Sequence, residues 1–183
     1  MKNKLNILIT STSFIDTPGN HQELIESYNF KLIKKRGPLS EKKMIDCIDD
    51  IDGIICGDDF ITENVIKKGK SSKLKVISKY GIGLDKIDLI EAKKQGIIVC
   101  NTPGVNHIAV SEHILALIFT YYKNIHLEYN VTINGGWNRL IGHEIFGKKI
   151  GILGLGRIGK ELSVRSKALG LDVLVYDPYL DKD

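Results

Sequence analysis

Three glycines near the end of the chain follow the spacing G-x-G-x-x-G: Gly154, Gly156 and Gly159. The first permits a tight turn from a strand into a helix, and the second leaves the backbone open to a pyrophosphate. The third keeps the helix close to the strand. N–H groups at the start of that helix, reinforced by its dipole, bind anionic phosphates. The spacing therefore predicts the phosphate-binding turn of a dinucleotide site.

A carboxylate completes this pattern. Asp177 lies 18 residues after Gly159, directly after the apolar run at residues 173–176. At this position a carboxylate accepts hydrogen bonds from ribose hydroxyls and repels a 2′-phosphate, which favours NAD over NADP. A lone glycine pattern is also found in purely structural turns, but glycines, helix, strand and acid in this order favour dinucleotide binding. The predicted cofactor-binding residues are Gly154, Gly156, Arg157, Ile158, Gly159, Asp177 and Pro178.

The elements that must position these residues form one βαβ unit. Residues 149–153 are an apolar run typical of a buried parallel strand. Apolar residues then recur at helical intervals up to Leu169, and Gly170 is the predicted stop of the helix. Residues 173–176 form the second strand.

Strands and helices alternate through residue 100, which predicts an α/β fold with a parallel sheet. Connections of this length favour a flavodoxin-like sheet with strand order 2-1-3-4-5. The predicted strands are residues 5–9, 30–33, 54–56, 74–77 and 97–100. Helices are expected to begin at Asn20, near Ser40, near Thr62 and at Leu89, with Asn20, Ser40 and Thr62 as capping residues.

Two segments join this sheet to the glycine turn. Residues 105–125 predict a long helix that is apolar on most sides, so we expect it to be buried between two layers or two subunits. The following segment contains Gly135, Gly136 and Trp137 and has little periodicity. We expect it to be an irregular arm.

Composition excludes several classes of protein. The net charge of +4 comes from lysines spread along the chain without interleaved aromatic residues, which argues against nucleic-acid binding. The longest apolar stretch is far shorter than a membrane span. Three cysteines without a C-x-x-C pair predict buried, reduced thiols in a cytoplasmic protein that has no metal site. They are Cys47, Cys56 and Cys100.

Several separate segments resemble the NAD-dependent D-2-hydroxyacid dehydrogenases, an oxidoreductase family, with phosphoglycerate dehydrogenase-like enzymes as the most similar branch. They are residues 78–88 (SKYGIGLDKID), 96–106 (GIIVCNTPGVN), 110–113 (VSEH) and 136–159, which end in the glycine turn. The resemblance covers the whole chain, but the chain corresponds only to the N-terminal portion of such an enzyme.

The resemblance implies two domains. Residues 1–100 would be the substrate (catalytic) domain without its C-terminal return segment. Residues 101–183 would begin an incomplete Rossmann domain that binds NAD, with a long crossover helix, a dimerisation arm and the first βαβ unit. A homodimer is expected, and the chain is expected to be a truncated form that is inactive alone.

The resemblance also assigns a substrate loop. In the family, the loop that corresponds to Gly81, Ile82 and Gly83 offers backbone N–H groups to the carboxylate of a 2-hydroxy or 2-keto acid. Successive amides around glycines form an anion-binding nest, which agrees with this role. The alternative is a tight turn that merely follows a strand.

One departure from the family leaves the acid undefined. Phosphoglycerate-oxidising relatives carry an Arg-Ser-x-Thr stretch where this chain has Cys56, Gly57, Asp58 and Asp59. Two aspartates would repel a phosphorylated acid if they lay close to it. They would have no such effect if they simply faced water.

A second departure concerns catalysis. The family uses an arginine, a glutamate and a histidine in a segment beyond residue 183, so no catalytic residue is predicted in this chain. Although His113 follows Glu112, adjacent helix residues do not face each other, and His113 is predicted to be an interface or packing residue. The expected reaction is hydride transfer between NAD and a D-2-hydroxy or 2-keto acid. The alternatives are an NAD-binding, dimerising regulatory module without turnover, and a non-functional remnant.

Overall fold

A computed structural model describes residues 4–180 of the chain. The chain divides into two compact units, Met1–Pro103 (unit 1) and Gly104–Asp183 (unit 2).

Unit 1 contains a five-stranded parallel sheet in the order β2-β1-β3-β4-β5, which confirms the predicted strand order. Central positions pair in register, with Leu8 opposite Ile54 and Ile54 opposite Ile77. The elements are β1 (Leu5–Ile9), α1 (Thr12–Asp16), α2 (Asn20–Glu26), β2 (Phe30–Lys34), α3 (Glu41–Cys47), β3 (Gly53–Cys56), α4 (Glu63–Ser72), β4 (Val76–Lys79), α5 (Leu89–Lys94) and β5 (Ile98–Cys100).

The sheet of unit 1 has a well-developed apolar core. Leu8, Ile54 and Ile77, from the three central strands, are fully buried together with Met44 and Val65 from the helices. Removal of this much apolar surface from water is the main favourable contribution to folding. The core therefore holds the carboxyl ends of β1, β3 and β4 in fixed positions, and the loops that follow these ends carry the candidate substrate residues.

Several local predictions for unit 1 are wrong. Residues 12–16 form α1, where the sequence predicts no helix; the Ser11 hydroxyl accepts a hydrogen bond from Phe14 N (3.3 Å) and so caps it. Gly19, not Asn20, is the N-cap of α2. Thr62 occupies the N-cap position of α4, but its hydroxyl donates to Glu41 Oε1 (2.6 Å) instead of capping.

Strand β4 begins and ends later than predicted. Leu74 N and Lys75 N donate to backbone carbonyls outside the sheet ladder, whereas Lys79 pairs with Cys56 in the ladder. Lys79 therefore belongs to the strand and not to the loop that follows it.

Unit 2 contains α6 (His107–Tyr122), α7 (Ile125–Ile133), β6 (Lys149–Leu153), α8 (Arg157–Ala168) and β7 (Asp172–Tyr176). Strands β6 and β7 pair in parallel on either side of α8 in the sequence, as the predicted βαβ unit requires. A small buried cluster, formed by Leu115, Ile152 and Leu162, joins α6, β6 and α8.

Two predictions for unit 2 need correction. The segment expected to be an irregular arm begins with a helix, α7, and is irregular only further along, at residues 136–145. Within the single chain, the long helix α6 buries only Ser111 and Leu115, and Leu117 and Tyr121 are exposed, so α6 is not buried between two layers there. Its burial between two subunits stays a prediction. No helix within residues 4–180 is both long and apolar enough to cross a lipid bilayer.

The cysteines also differ from the expectation that all three are buried. Cys56 is buried, and desolvation raises the pKa of its thiol to about 12. Cys47 is half-buried and Cys100 is exposed. At neutral pH Cys56 therefore remains a protonated thiol and packs as a small apolar residue.

Candidate functional site

The glycine turn connects β6 to α8 in unit 2. Gly154 has a positive φ of 93°, a conformation that residues with a side chain rarely adopt. Its N–H donates to the Tyr176 carbonyl (2.8 Å), which ties the start of the turn to the end of β7. A Cβ on Gly159 would lie 2.1 Å from the Gly154 carbonyl oxygen. Turn and helix therefore require glycine at both positions for reasons of backbone geometry.

Gly156 differs from these two glycines. Its φ of −69° is accessible to any residue, and a Cβ there would meet no atom of the protein within 4 Å. Nothing in the described chain fills the space beside Gly156, so the packing of the protein does not explain the glycine. A glycine that leaves open space at a helix N-terminus allows a ligand to approach the backbone closely.

Gly156 is also the N-cap of α8, and no side chain within residues 4–180 caps the helix. The first helical hydrogen bond runs from Lys160 N to the Gly156 carbonyl (2.9 Å), so the N–H groups of Arg157, Ile158 and Gly159 precede the helical ladder. These are the amides that the sequence predicts to contact phosphate. The Arg157 side chain is exposed and lies beside Gly104, where a Cβ would be 3.2 Å from its Nη1.

The Asp177 carboxylate lies at the mouth of the glycine turn. Its Oδ2 accepts a hydrogen bond from Leu155 N (2.6 Å), and its Oδ1 accepts one from Tyr179 N (2.9 Å). These bonds from Tyr179 and Leu155 lower the pKa of the carboxyl, so that it is ionised at neutral pH. A carboxylate offers about four lone-pair sites. The two sites that Leu155 and Tyr179 leave free can accept hydrogen bonds from hydroxyl groups. The neighbouring Pro178 is exposed.

The predicted substrate loop follows β4 in unit 1. Gly81 has a φ of 150°, and its carbonyl accepts hydrogen bonds from Thr102 N (2.9 Å) and the Thr102 hydroxyl (3.0 Å). The Ile82 carbonyl accepts a hydrogen bond from Asn101 Nδ2 (2.9 Å). With its carbonyls held, the loop leaves the N–H groups of Ile82 and Gly83 without a partner in residues 4–180. This arrangement suits an anion-binding nest.

The two aspartates after β3 have different environments. Asp59 is buried, and its carboxylate accepts hydrogen bonds from the Thr10 hydroxyl (2.6 Å), Leu39 N (2.6 Å) and Gly57 N (3.0 Å). It holds the loops after β1, β2 and β3 together and does not face water. Asp58 is exposed but forms an ion pair with Lys79 at 2.6 Å.

Sequence reasoning missed Lys79. Its side chain is only 9% exposed, and its Nζ also donates to the Gly57 carbonyl (2.6 Å). A buried lysine is uncommon unless its charge is paired. Its position after an apolar run gave one weak signal, since residues at the carboxyl ends of parallel strands often form sites.

Two further observations concern His113 and metal binding. His113 and Glu112 are both exposed on α6. Within residues 4–180, no group of three or more histidine, cysteine, aspartate or glutamate side chains is arranged to hold a metal ion.

Comparison with known proteins identifies the family. Residues 7–168 match the family model described as D-isomer specific 2-hydroxyacid dehydrogenase, catalytic domain. D-3-phosphoglycerate dehydrogenase of Synechocystis sp. is 36% identical over 148 residues, which are 79% of this chain and 26% of that protein. Hydroxypyruvate reductase of Thermotoga maritima is 38% identical over 120 residues, which are 64% of this chain and 39% of that protein.

Solved structures of this family and of related proteins have a similar fold. A crystal structure of a Thermus thermophilus protein superposes with a TM-score of 0.84 at 26% identity, over 98% of this chain and 58% of that one. NAD⁺-bound 3-phosphoglycerate dehydrogenase of Entamoeba histolytica gives a TM-score of 0.72 at 27% identity, over 99% of this chain and 56% of that one. The chain thus spans about a quarter of the length of the phosphoglycerate dehydrogenase relatives that it matches and somewhat more than half of these structures. By the extent of the family match, this chain belongs to the D-isomer specific 2-hydroxyacid dehydrogenases.

Proposed function

We propose that this chain contributes the cofactor site and the acid-binding loop of an NAD-dependent D-2-hydroxyacid dehydrogenase. Such an enzyme transfers hydride between NAD and a D-2-hydroxy or 2-keto acid. The observation that carries the proposal is the Asp177 carboxylate, which lies at the glycine turn and accepts a hydrogen bond from Leu155 N (2.6 Å), next to open space at Gly156.

The two halves of the cofactor site have separate roles. The N–H groups of Arg157, Ile158 and Gly159 would bind the pyrophosphate, because they lie at the positive end of the α8 dipole. With its free lone pairs, the Asp177 carboxylate would accept hydrogen bonds from the adenosine ribose hydroxyls. It would repel the 2′-phosphate of NADP. When bound, NAD supplies the hydride chemistry itself.

The substrate loop of unit 1, residues 81–83, would bind the acid. The N–H groups of Ile82 and Gly83 would donate to the substrate carboxylate, because neither has a partner within residues 4–180. We assign no catalytic acid or base to the described residues. The predicted roles of the two domains, substrate binding in residues 1–100 and NAD binding in residues 101–183, are part of the proposal.

A homodimer and a cytoplasmic location belong to the proposal as well. Apolar side chains of unit 2 are strongly exposed in the single chain, among them Trp137 at 96%, Ile141 at 87% and Ile133 at 60%. Contiguous exposed apolar surfaces usually mark an interface, and we propose that a second copy of the chain covers these residues. A regulatory module without turnover is not favoured, because the relatives that this chain matches over most of its length bear the names of enzymes.

Titration of NAD into the protein and into its Gly156→Ala variant tests the proposal. The added methyl group meets only empty space in the protein, so the melting temperature should stay within about 1 °C while NAD affinity falls about tenfold or more. Gly151→Ala in β6 is a matched control, because a Cβ there also has no neighbour within 4 Å. An unchanged NAD affinity in Gly156→Ala, or no NAD binding by the wild-type protein, would contradict the proposal.

A further inference from the structure

A small polar cavity lies in unit 1 beside the substrate loop. It has a volume of about 100 Å³ and opens at the carboxyl ends of β1, β3 and β4. Its lining includes hydroxyl-bearing residues of the loop after β1 and of the start of α1, the loop after β3, and Lys79 with Tyr80. The cavity is large enough for a few non-hydrogen atoms, on the scale of about 30 Å³ for one water in the liquid.

Lys79 brings the cavity next to the substrate loop. A Cβ on Gly81 would lie 3.2 Å from Lys79 Cε and 4.0 Å from its Nζ, so the ammonium group lies close to the loop backbone. Two of its three N–H donors are used, one by the Gly57 carbonyl and one by Asp58 Oδ1, both at 2.6 Å. One donor remains for a ligand.

Asp58 compensates the charge of Lys79. Its hydrogen bond with the ammonium lowers the pKa of the Asp58 carboxyl, which is ionised at neutral pH. A second lysine, Lys86, lies outside the cavity lining and donates a hydrogen bond from its Nζ to the Asp58 carbonyl (3.4 Å). Among the residues that line the cavity, Lys79 and Asp58 carry formal charges, and these two charges cancel.

The remaining polar groups of the cavity are hydroxyls. Thr10 donates to Asp59 and Ser11 caps α1, so both are engaged in the fold. The hydroxyls of Thr12 and Ser13 have no hydrogen-bond partner within residues 4–180, and both residues line the cavity. A hydroxyl group donates one hydrogen bond and accepts two, so these two groups suit an uncharged polar ligand.

We infer that this cavity holds the substituent on C3 of the 2-hydroxy acid and selects an uncharged, hydroxyl-bearing substituent over a phosphate ester. The inference rests on the proposed function of the neighbouring loop, which would hold the carboxylate of the same acid. A phosphate dianion would have to compete with Asp58 for Lys79 and would lie close to that carboxylate. A hydroxyl group meets no such repulsion and is matched by Thr12, Ser13 and the free donor of Lys79.

Direct binding measurements test this selectivity without requiring turnover. D-glycerate and D-3-phosphoglycerate, which differ only in the phosphate ester, are titrated into the wild-type protein and into Asp58→Asn by isothermal calorimetry. Asp49→Asn is the matched control, because it breaks an exposed Asp–Lys ion pair with Lys68 (2.8 Å) that lies outside the cavity lining.

The wild-type protein should bind D-glycerate about tenfold more tightly than D-3-phosphoglycerate. Asp58→Asn should raise the affinity for D-3-phosphoglycerate about tenfold and change that for D-glycerate less than about twofold, while Asp49→Asn changes neither. Asp58→Ser, which shortens the side chain as well, should shift the preference in the same direction.

Three results would overturn the inference: a wild-type preference for the phosphate ester, a preference in Asp58→Asn equal to that in Asp49→Asn, or no binding of either acid. A separate NAD titration distinguishes the two proposals. If the acid preference is present but NAD does not bind, the dehydrogenase proposal fails and the selective cavity stands.

Discussion

The two units of the chain bury their strands to very different degrees. In unit 1 the sheet has five strands, and a core of fifteen buried residues surrounds its central positions. In unit 2 the sheet within residues 4–180 has two strands, and three buried residues form its core. Both units nevertheless hold their candidate site at the carboxyl ends of parallel strands. The geometry of such a site therefore depends on local backbone contacts, whereas its stability depends on the surrounding core.

The largest expected effect is on the free energy of unfolding, and it compares a buried leucine of unit 1 with an exposed leucine of unit 2. Leu8 in β1 is fully buried, whereas Leu174 in β7 is 58% exposed. Leu8→Ala should lower the free energy of unfolding by about 3 kcal/mol through lost burial and a cavity. Leu174→Ala, the matched change in the other sheet, should cost less than about 1 kcal/mol. Urea titrations monitored by circular dichroism measure both, and equal losses would contradict the difference between the cores.

An intermediate effect is expected inside unit 2. Gly159→Ala would place a methyl group against the Gly154 carbonyl, so α8 must move away from the turn. We expect a loss of about 2 kcal/mol in the free energy of unfolding, together with loss of NAD binding. Gly151→Ala, in open space on β6, serves as the control for the loss of a glycine. If Gly159→Ala had the same free energy of unfolding as the wild-type protein, the contact with the Gly154 carbonyl would not constrain the turn.

The smallest effect concerns the charge at the turn. Because the folded-state pKa of Asp177 is lowered by the N–H groups of Tyr179 and Leu155, its contribution to stability is present above the unfolded pKa of about 3.9. That contribution is lost as pH falls through the folded pKa. The Leu155 amide resonance should therefore shift in acid along with protonation of the carboxyl. Asp177→Asn should abolish that shift, and a shift that persists in the variant would assign it to another group.

Much of the architecture follows from the sequence, because its signals are local. The order of the sheet in unit 1 follows from alternating apolar runs and helical segments. Helix α5 begins at Leu89, as the sequence predicts; the Asp88 side chain caps its start, and Gly96 follows its end. The glycine turn is predictable in position and conformation, since only glycine readily adopts the φ of Gly154.

What the sequence does not predict depends on distant or weak signals. The ion pair of Lys79 with Asp58 joins residues 21 positions apart in the sequence, and no local pattern predicts it. Helix α1 lies in a run of serine and threonine that is typical of a turn, and Phe14, its buried residue, anchors it. Helix α7 shows almost no separation of polar and apolar faces, so its sequence lacks the usual helical signal.

The tether of the substrate loop has a thermodynamic consequence. Asn101 and Thr102 hold the carbonyls of Ile82 and Gly81, so the loop loses its conformational entropy when the protein folds and not when an anion arrives. Carboxylate binding then requires little reordering of the backbone, and calorimetry should record a small entropic penalty for association. The segment that follows β5 would in this sense be part of the proposed acid-binding site, although neither side chain needs to touch the acid.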